Sequence, residues 1–173
     1  MPHRHDLSAR FSFAVACLAV AALVAGCSDI QVTSHYGPDV KLTGLGSTYS
    51  WAPPSAADES SRSLAGPEVQ KVIEDTLEKE LAAKGFKKTP AGKVDFWVNY
   101  KLAKKMETDT GVIPSGEVYA EGSLILDVIK PDTGKVFWRG VAQARINKSN
   151  TPEVRKQRVI QAVRELMKVF PPK

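Results

Sequence analysis

Reactive side chains are scarce in this chain of 173 residues, which has two cysteines and three histidines. Both cysteines, Cys17 and Cys27, lie near the N-terminus, so everything from Ser28 onward lacks a thiol. That excludes a disulfide framework and thiolate zinc coordination for the body of the chain. His3 and His5 are also N-terminal, leaving His35 as the single imidazole beyond them. A histidine-dependent nucleophile would have to rely on it alone. Charge of one sign is never concentrated: 24 basic and 19 acidic residues give a net charge of +5 without a long run of either. Such a balance suits a domain near anionic polymers, but no nucleic-acid motif or basic patch accompanies it. No glycine-rich loop joins a strand to a helix, as phosphate binding needs. Glu117 and Glu121 fall in one expected strand, ~13 Å apart at ~3.3 Å per residue. A glycosidase pair sits closer, at ~5 to 9.5 Å. The expectation is a protein that is not an enzyme, with no catalytic residue, no metal and no cofactor.

What the chain does have is a leader. His3, Arg4, His5 and Arg10 form a basic start, and Phe11 to Val24 is nearly unbroken apolar sequence. This run is short of the ~20 apolar residues of a transmembrane helix. It ends in small Ala25 and Gly26, the pattern of a secretory signal peptide cleaved after residue 26. Leu23-Val24-Ala25-Gly26-Cys27 resembles the lipobox of bacterial lipoproteins. The resemblance implies diacylglycerol on the Cys27 thiol, cleavage just before it, and acylation of the new amine. The membrane is then the first partner, held through Cys27, and more than one chain makes the anchor stable. Ser28, where enteric lipoproteins retained in the inner membrane carry Asp, implies the inner leaflet of the outer membrane, facing the periplasm.

Residues 27–41 read as the lipidated cysteine and a tether, with turn chemistry at Gly37-Pro38-Asp39. Residues 42–173 read as a single domain. Leu42 to Trp51 is the first expected strand, with Gly44 and Gly46 weakening it or marking a bulge. A helix follows over Pro67 to Lys84, with Val69, Val72, Ile73, Leu77 and Leu81 on one face and Gly85 as its stop. Val94 to Leu102 alternates with a period of two, Lys104 to Ser115 reads as a polar connection, and Glu117 to Ile129 is the third strand. Pro131-Asp132-Thr133-Gly134 is a turn into a fourth strand, Val136 to Ile146. Thr151 caps a last helix with Pro152 at its first position. The order β-α-β-β-β-α predicts an α+β two-layer sandwich. Its sheet is four-stranded and mixed, its first crossover right-handed, and both helices lie on one face.

Several stretches resemble a family of bacterial lipoproteins known as domain of unknown function 4136. They are Thr48-Tyr49-Ser50-Trp51, Leu81-Ala82-Ala83-Lys84-Gly85-Phe86, Asp95-Phe96-Trp97-Val98, Gly122-Ser123-Leu124-Ile125-Leu126-Asp127, Thr133-Gly134-Lys135-Val136-Phe137-Trp138-Arg139-Gly140 and Phe170-Pro171-Pro172. The resemblance spans about residues 45 to 173. It implies a lipoprotein of this fold and brings no catalytic residue.

Function therefore reduces to surfaces. Val94, Phe96, Val98, Leu124, Leu126, Val128, Val136 and Trp138 should meet the helices. By alternation, Trp97, Ile125, Ile129, Phe137 and Val141 then lie on the opposite face, among Asp95, Asn99, Lys101, Asp127, Arg139 and Gln143. That is more apolar than a solvated face needs to be. It reads as a partner surface anchored by Trp97, for an envelope protein, for peptidoglycan or for a second copy. Arg155, Lys156, Arg158, Arg164 and Lys168 make the last helix basic, either as a solvated face or for contact with anionic headgroups or peptidoglycan. A cell-wall or lipid hydrolase and a lipid-binding carrier are the alternatives. The carrier requires a cavity.

Overall fold

The computed structural model describes residues 29–37, 45–53, 66–90, 93–108, 110 and 117–171. The expected signal peptide, Cys27, and residues 28 and 38–41 of the expected tether lie outside them. Among the described residues, six strands and two helices follow one another: β1 Gln31–Tyr36, β2 Thr48–Trp51, α1 Pro67–Ala83, β3 Lys87–Lys88, β4 Phe96–Thr108, β5 Val118–Ile129, β6 Val136–Ile146 and α2 Pro152–Lys168. They form one sheet in the order β1-β6-β5-β4-β2-β3.

The fold class and mixed sheet are as expected, but the sheet has six strands, not four. One extra strand, β1, comes from the segment read as tether and pairs antiparallel with β6, Gln31 opposite Gln143 and Tyr36 opposite Trp138. Its sequence hides it: an edge strand with Thr33 and His35 in water needs few apolar residues, and only Val32 packs on the core. The other, β3, is two residues that continue the turn after α1 and pair parallel with β2. β2 itself is shorter than expected, and β4 is longer, running through Lys104 and Thr108 where a connection was expected. There it stays paired to β5, Thr108 opposite Val118. Lys104, Lys105 and Glu107 suit a strand whose side chains reach water, and polarity alone does not distinguish that from a loop.

Within this frame β2 runs parallel to β4 across α1, and β4, β5 and β6 are antiparallel neighbours. Ile73, Leu77 and Leu81 of α1 and Val163, Leu166 and Met167 of α2 share one core with Phe96, Val98, Leu124, Leu126, Val128 and Trp138 of the sheet. Val94 is buried too, while Val136 is only half-buried. Thr151 accepts a hydrogen bond from the Val154 N–H, the cap expected of it. Phe170, just beyond α2, packs its ring on Trp138 with centroids 4.8 Å apart. Gly140 makes this possible: a Cβ there would collide with the Trp138 ring and Leu166 Cδ2. Polar contacts tie α1 down as well, with Tyr100 Oη donating to Glu74 at 3.0 Å and Trp51 Nε1 to Glu78 at 3.2 Å.

Two of the family-like stretches are clamped together. The Asp95 carboxylate accepts from the Ser47 N–H (2.9 Å), the Thr48 N–H (2.8 Å) and the Thr48 hydroxyl (2.6 Å). These hydrogen bonds, the Thr48 hydroxyl first, hold Asp95 below the ordinary carboxylate value. Gly46, at φ 71°, supplies the turn and leaves the space the carboxylate occupies. The glycine expected to weaken a strand instead admits the group that organises its start.

Candidate interaction surfaces

The sheet face away from the helices is set by register. Trp97 stands beside Ile129, Asn99 beside Asp127 and Lys101 beside Ile125 across β4 and β5. Ile125 stands beside Val141 and Asp127 beside Arg139 across β5 and β6. Trp97, Ile125, Ile129 and Val141 are all half-buried there, as a partly covered apolar patch would be. Phe137 is not among them. A register shift between Val128 and Ile129 sets Val136 opposite Ile129, and Phe137 turns into the core, 4% exposed. Strict alternation placed it outside, and the bulge breaks that alternation.

The centre of this face is polar. Asp127 is 2% exposed and Asn99 1%. Arg139 closes over Asp127 with two parallel hydrogen bonds, Nε to Oδ1 at 2.6 Å and Nη2 to Oδ2 at 2.8 Å. This fork is the strong form of the interaction, and the Asp127 hydrogen bonds hold the Arg139 guanidinium above its ordinary value. Sequence alternation places both residues on this face without pairing them. Counting back from the short turn at 131–134 would pair Asp127 with Trp138; the register shift between Val128 and Ile129 is what sets it beside Arg139. His35 stands beside Arg139 on β1, exposed.

Toward the far end of β4 and β5 the same face becomes charged. Glu121 accepts from Gln143 at 3.0 Å and pairs with Lys105 at 3.3 Å, which also holds Glu107 at 2.8 Å. Those carboxylates, Glu107 first, raise the Lys105 ammonium. The Arg145 guanidinium lies 3.8 Å over the Tyr119 ring. Glu121 is thus engaged within a strand-surface network. Among the described residues no cluster of three or more His, Cys, Asp or Glu side chains is placed to hold a metal. No helix among them is long and apolar enough to cross a membrane.

A second feature lies on the helix side. Between the helices and the sheet, next to Ile30, is a groove of about 460 Å³. Leu102, Leu124 and Ala144 line it from the strands, and Val159 and Ala162 from α2. Arg155 and Arg158 border it. Arg158 pairs with Asp29 at 2.7 Å, and this hydrogen bond lowers the Asp29 carboxyl. Arg155 donates to the Asn150 carbonyl at 2.8 Å. Met106 and Val118, each 60% exposed, belong to an adjoining hollow that shares Arg158.

The chain has no match among curated proteins. Among solved structures it is similar to a PDZ domain protein from Parabacteroides distasonis, at 12% identity and a TM-score of 0.56, over 84% of this chain. This likeness is one of fold, and the chain spans 37% of the length of that protein. It is also similar to the PelC dodecamer from Paraburkholderia phytofirmans (15% identity, TM-score 0.41, 83% of this chain and 96% of that one). A minor lipoprotein from Acinetobacter baumannii matches at 12% identity and a TM-score of 0.42, over 71% of this chain and 91% of that one. The profile of one family, described as a domain of unknown function (DUF4136), matches residues 32–172, and the chain belongs to that family.

Proposed function

We propose that this protein is a non-enzymatic lipoprotein of the bacterial envelope. It is acylated at Cys27, held at the inner leaflet of the outer membrane, and presents the outer sheet face to another envelope protein. One observation carries the surface reading: Trp97, Ile125, Ile129 and Val141 are half-buried around an Asp127–Arg139 pair that is already satisfied internally. A partner gains apolar contact there without having to leave a buried charge unpaired. The sequence around Cys27 supports the anchor, and peptidoglycan is the alternative partner.

Two experiments test this. Cys27→Ala should leave an unprocessed precursor that takes up no labelled fatty acid in cells; equal labelling of wild type and variant overturns the anchor. Crosslinking in intact cells should trap one envelope protein with the wild type and not with Trp97→Ser. If both trap the same partner, the outer face is not its site. Turnover of peptidoglycan by the purified protein would overturn the non-enzymatic reading.

A further inference from the structure

We propose that the groove beside Ile30 is a lipid site that takes one acyl chain of an anionic bilayer lipid, its head held at the arginine border. The proposal rests on the reading that Cys27 is acylated, because acylation is what brings the groove to a membrane.

Position is the first argument. Arg158 of α2 holds Asp29 at 2.7 Å, so the chain enters the fold at the groove's own border. Cys27 is two residues earlier, a covalent reach of roughly 7 Å at ~3.3 to 3.6 Å per residue. A lipid on Cys27 therefore enters the bilayer beside this end of the molecule. Met106 and Val118, each 60% exposed, lie at the same end. Apolar side chains in that setting suit a membrane interface better than water.

Shape and chemistry are the second. At Gly140 the lack of a side chain is used up by Trp138 and Leu166. Further along the same face, Ala142 and Ala144 leave open the space that Gly140 closes. The resulting 460 Å³ is lined mainly by aliphatic side chains and falls within the ~300 to 1,000 Å³ of small-molecule sites. Its floor is made of β4, β5 and β6. Polar groups concentrate at the border, where Arg155 and Arg158 are joined by Lys104. That charge matches a phosphate or carboxylate head.

The test uses the full chain in phosphatidylcholine vesicles containing phosphatidylglycerol with a photoreactive group in one acyl chain. Adducts should fall on Leu102, Leu124 and Val159. Ala144→Trp, which fills the groove, should lose most of them while keeping the wild-type melt. If that variant unfolds, Ala144→Leu is the milder plug and should give the same loss. Arg155→Glu should lower labelling by phosphatidylglycerol more than by photoreactive phosphatidylcholine. Adducts confined to Met106 and Val118, or undiminished in a folded plugged variant, overturn the proposal. So does labelling that appears only in Cys27→Ala, since the groove would then hold the protein's own acyl chain. The intact mass reports Cys27 acylation separately. Groove adducts on unacylated protein sustain the site and overturn the anchor; an acylated protein without groove adducts does the reverse.

Discussion

The two faces of the sheet are built on opposite principles. The helix face is stabilised by area: Phe96, Val98, Leu126 and Trp138 are almost fully removed from water by Leu77, Leu166 and Phe170. The outer face is stabilised at a point. Its central residues, Asp127 and Asn99, are as buried as the core, while its apolar residues are half-exposed. A buried charge is tolerated only when its partner is close and well oriented, and Arg139 supplies that from the edge of the face. The apolar side chains around it are left with unfinished contacts. Burial by itself therefore does not identify the core here; what counts is whether the buried group is apolar and covered or polar and paired.

Changes to the helix face should cost most. Leu77→Ala, at a side chain with no exposure, should destabilise by ~2 to 5 kcal/mol in denaturant unfolding. A neutral result would contradict the packing of α1 on the sheet. Next comes the pair at the outer centre, where the two ends should differ. Arg139→Ala strands a carboxylate that is 2% exposed and should cost ~1 to 3 kcal/mol or more. Asp127→Ala should cost less, because the Arg139 side chain, 45% exposed, can turn to water. Equal costs would mean that the arginine is as dependent on the pair as the aspartate. Trp97→Ser should cost at most ~1 kcal/mol while removing partner capture; unfolding instead would make this face part of the core.

The smallest effect is one of pH. Asp95 is held below its unfolded value by hydrogen bonds, so its contribution is present above the unfolded value and is lost as pH falls through the folded one. Between wild type and Asp95→Asn, the difference in stability should shrink as the solution is taken below the ordinary carboxylate range. A constant difference would mean that Asp95 acts by shape and not by charge.

How much of this was legible depended on whether an element carries its own signal. α1, α2 and the β5–β6 hairpin follow from apolar spacing, Thr151 and the turn at 131–134. The parallel pairing of β2 with β4 follows from the helix between them. β1 has no such signal: Val32 is one core residue in a polar strand, and its place depends on β6, far away in sequence. The far half of β4 was lost because charged side chains suit a long hairpin as well as a loop. Among candidate site residues, alternation correctly put Trp97, Ile125, Ile129 and Val141 on one face and failed at Phe137, where a bulge changes the phase. The groove was not legible at all. Small Ala142 and Ala144 suit a closely packed helix as well as an open groove, and only the path of α2 decides that the room stays open.

The pairing of β1 with β6 has a consequence for the order in which the protein is completed. A chain made from its N-terminus presents Gln31 to Tyr36 early and Val136 to Ile146 late. Among the described strands, the partner of β1 is thus the last to arrive, and closing so long a loop is the slow kind of folding contact. Until then Gln31 to Tyr36 lack the strand they pair with. Docking of β1 draws that segment against the body of the domain. The sheet edge nearest the N-terminus is therefore the last to be completed.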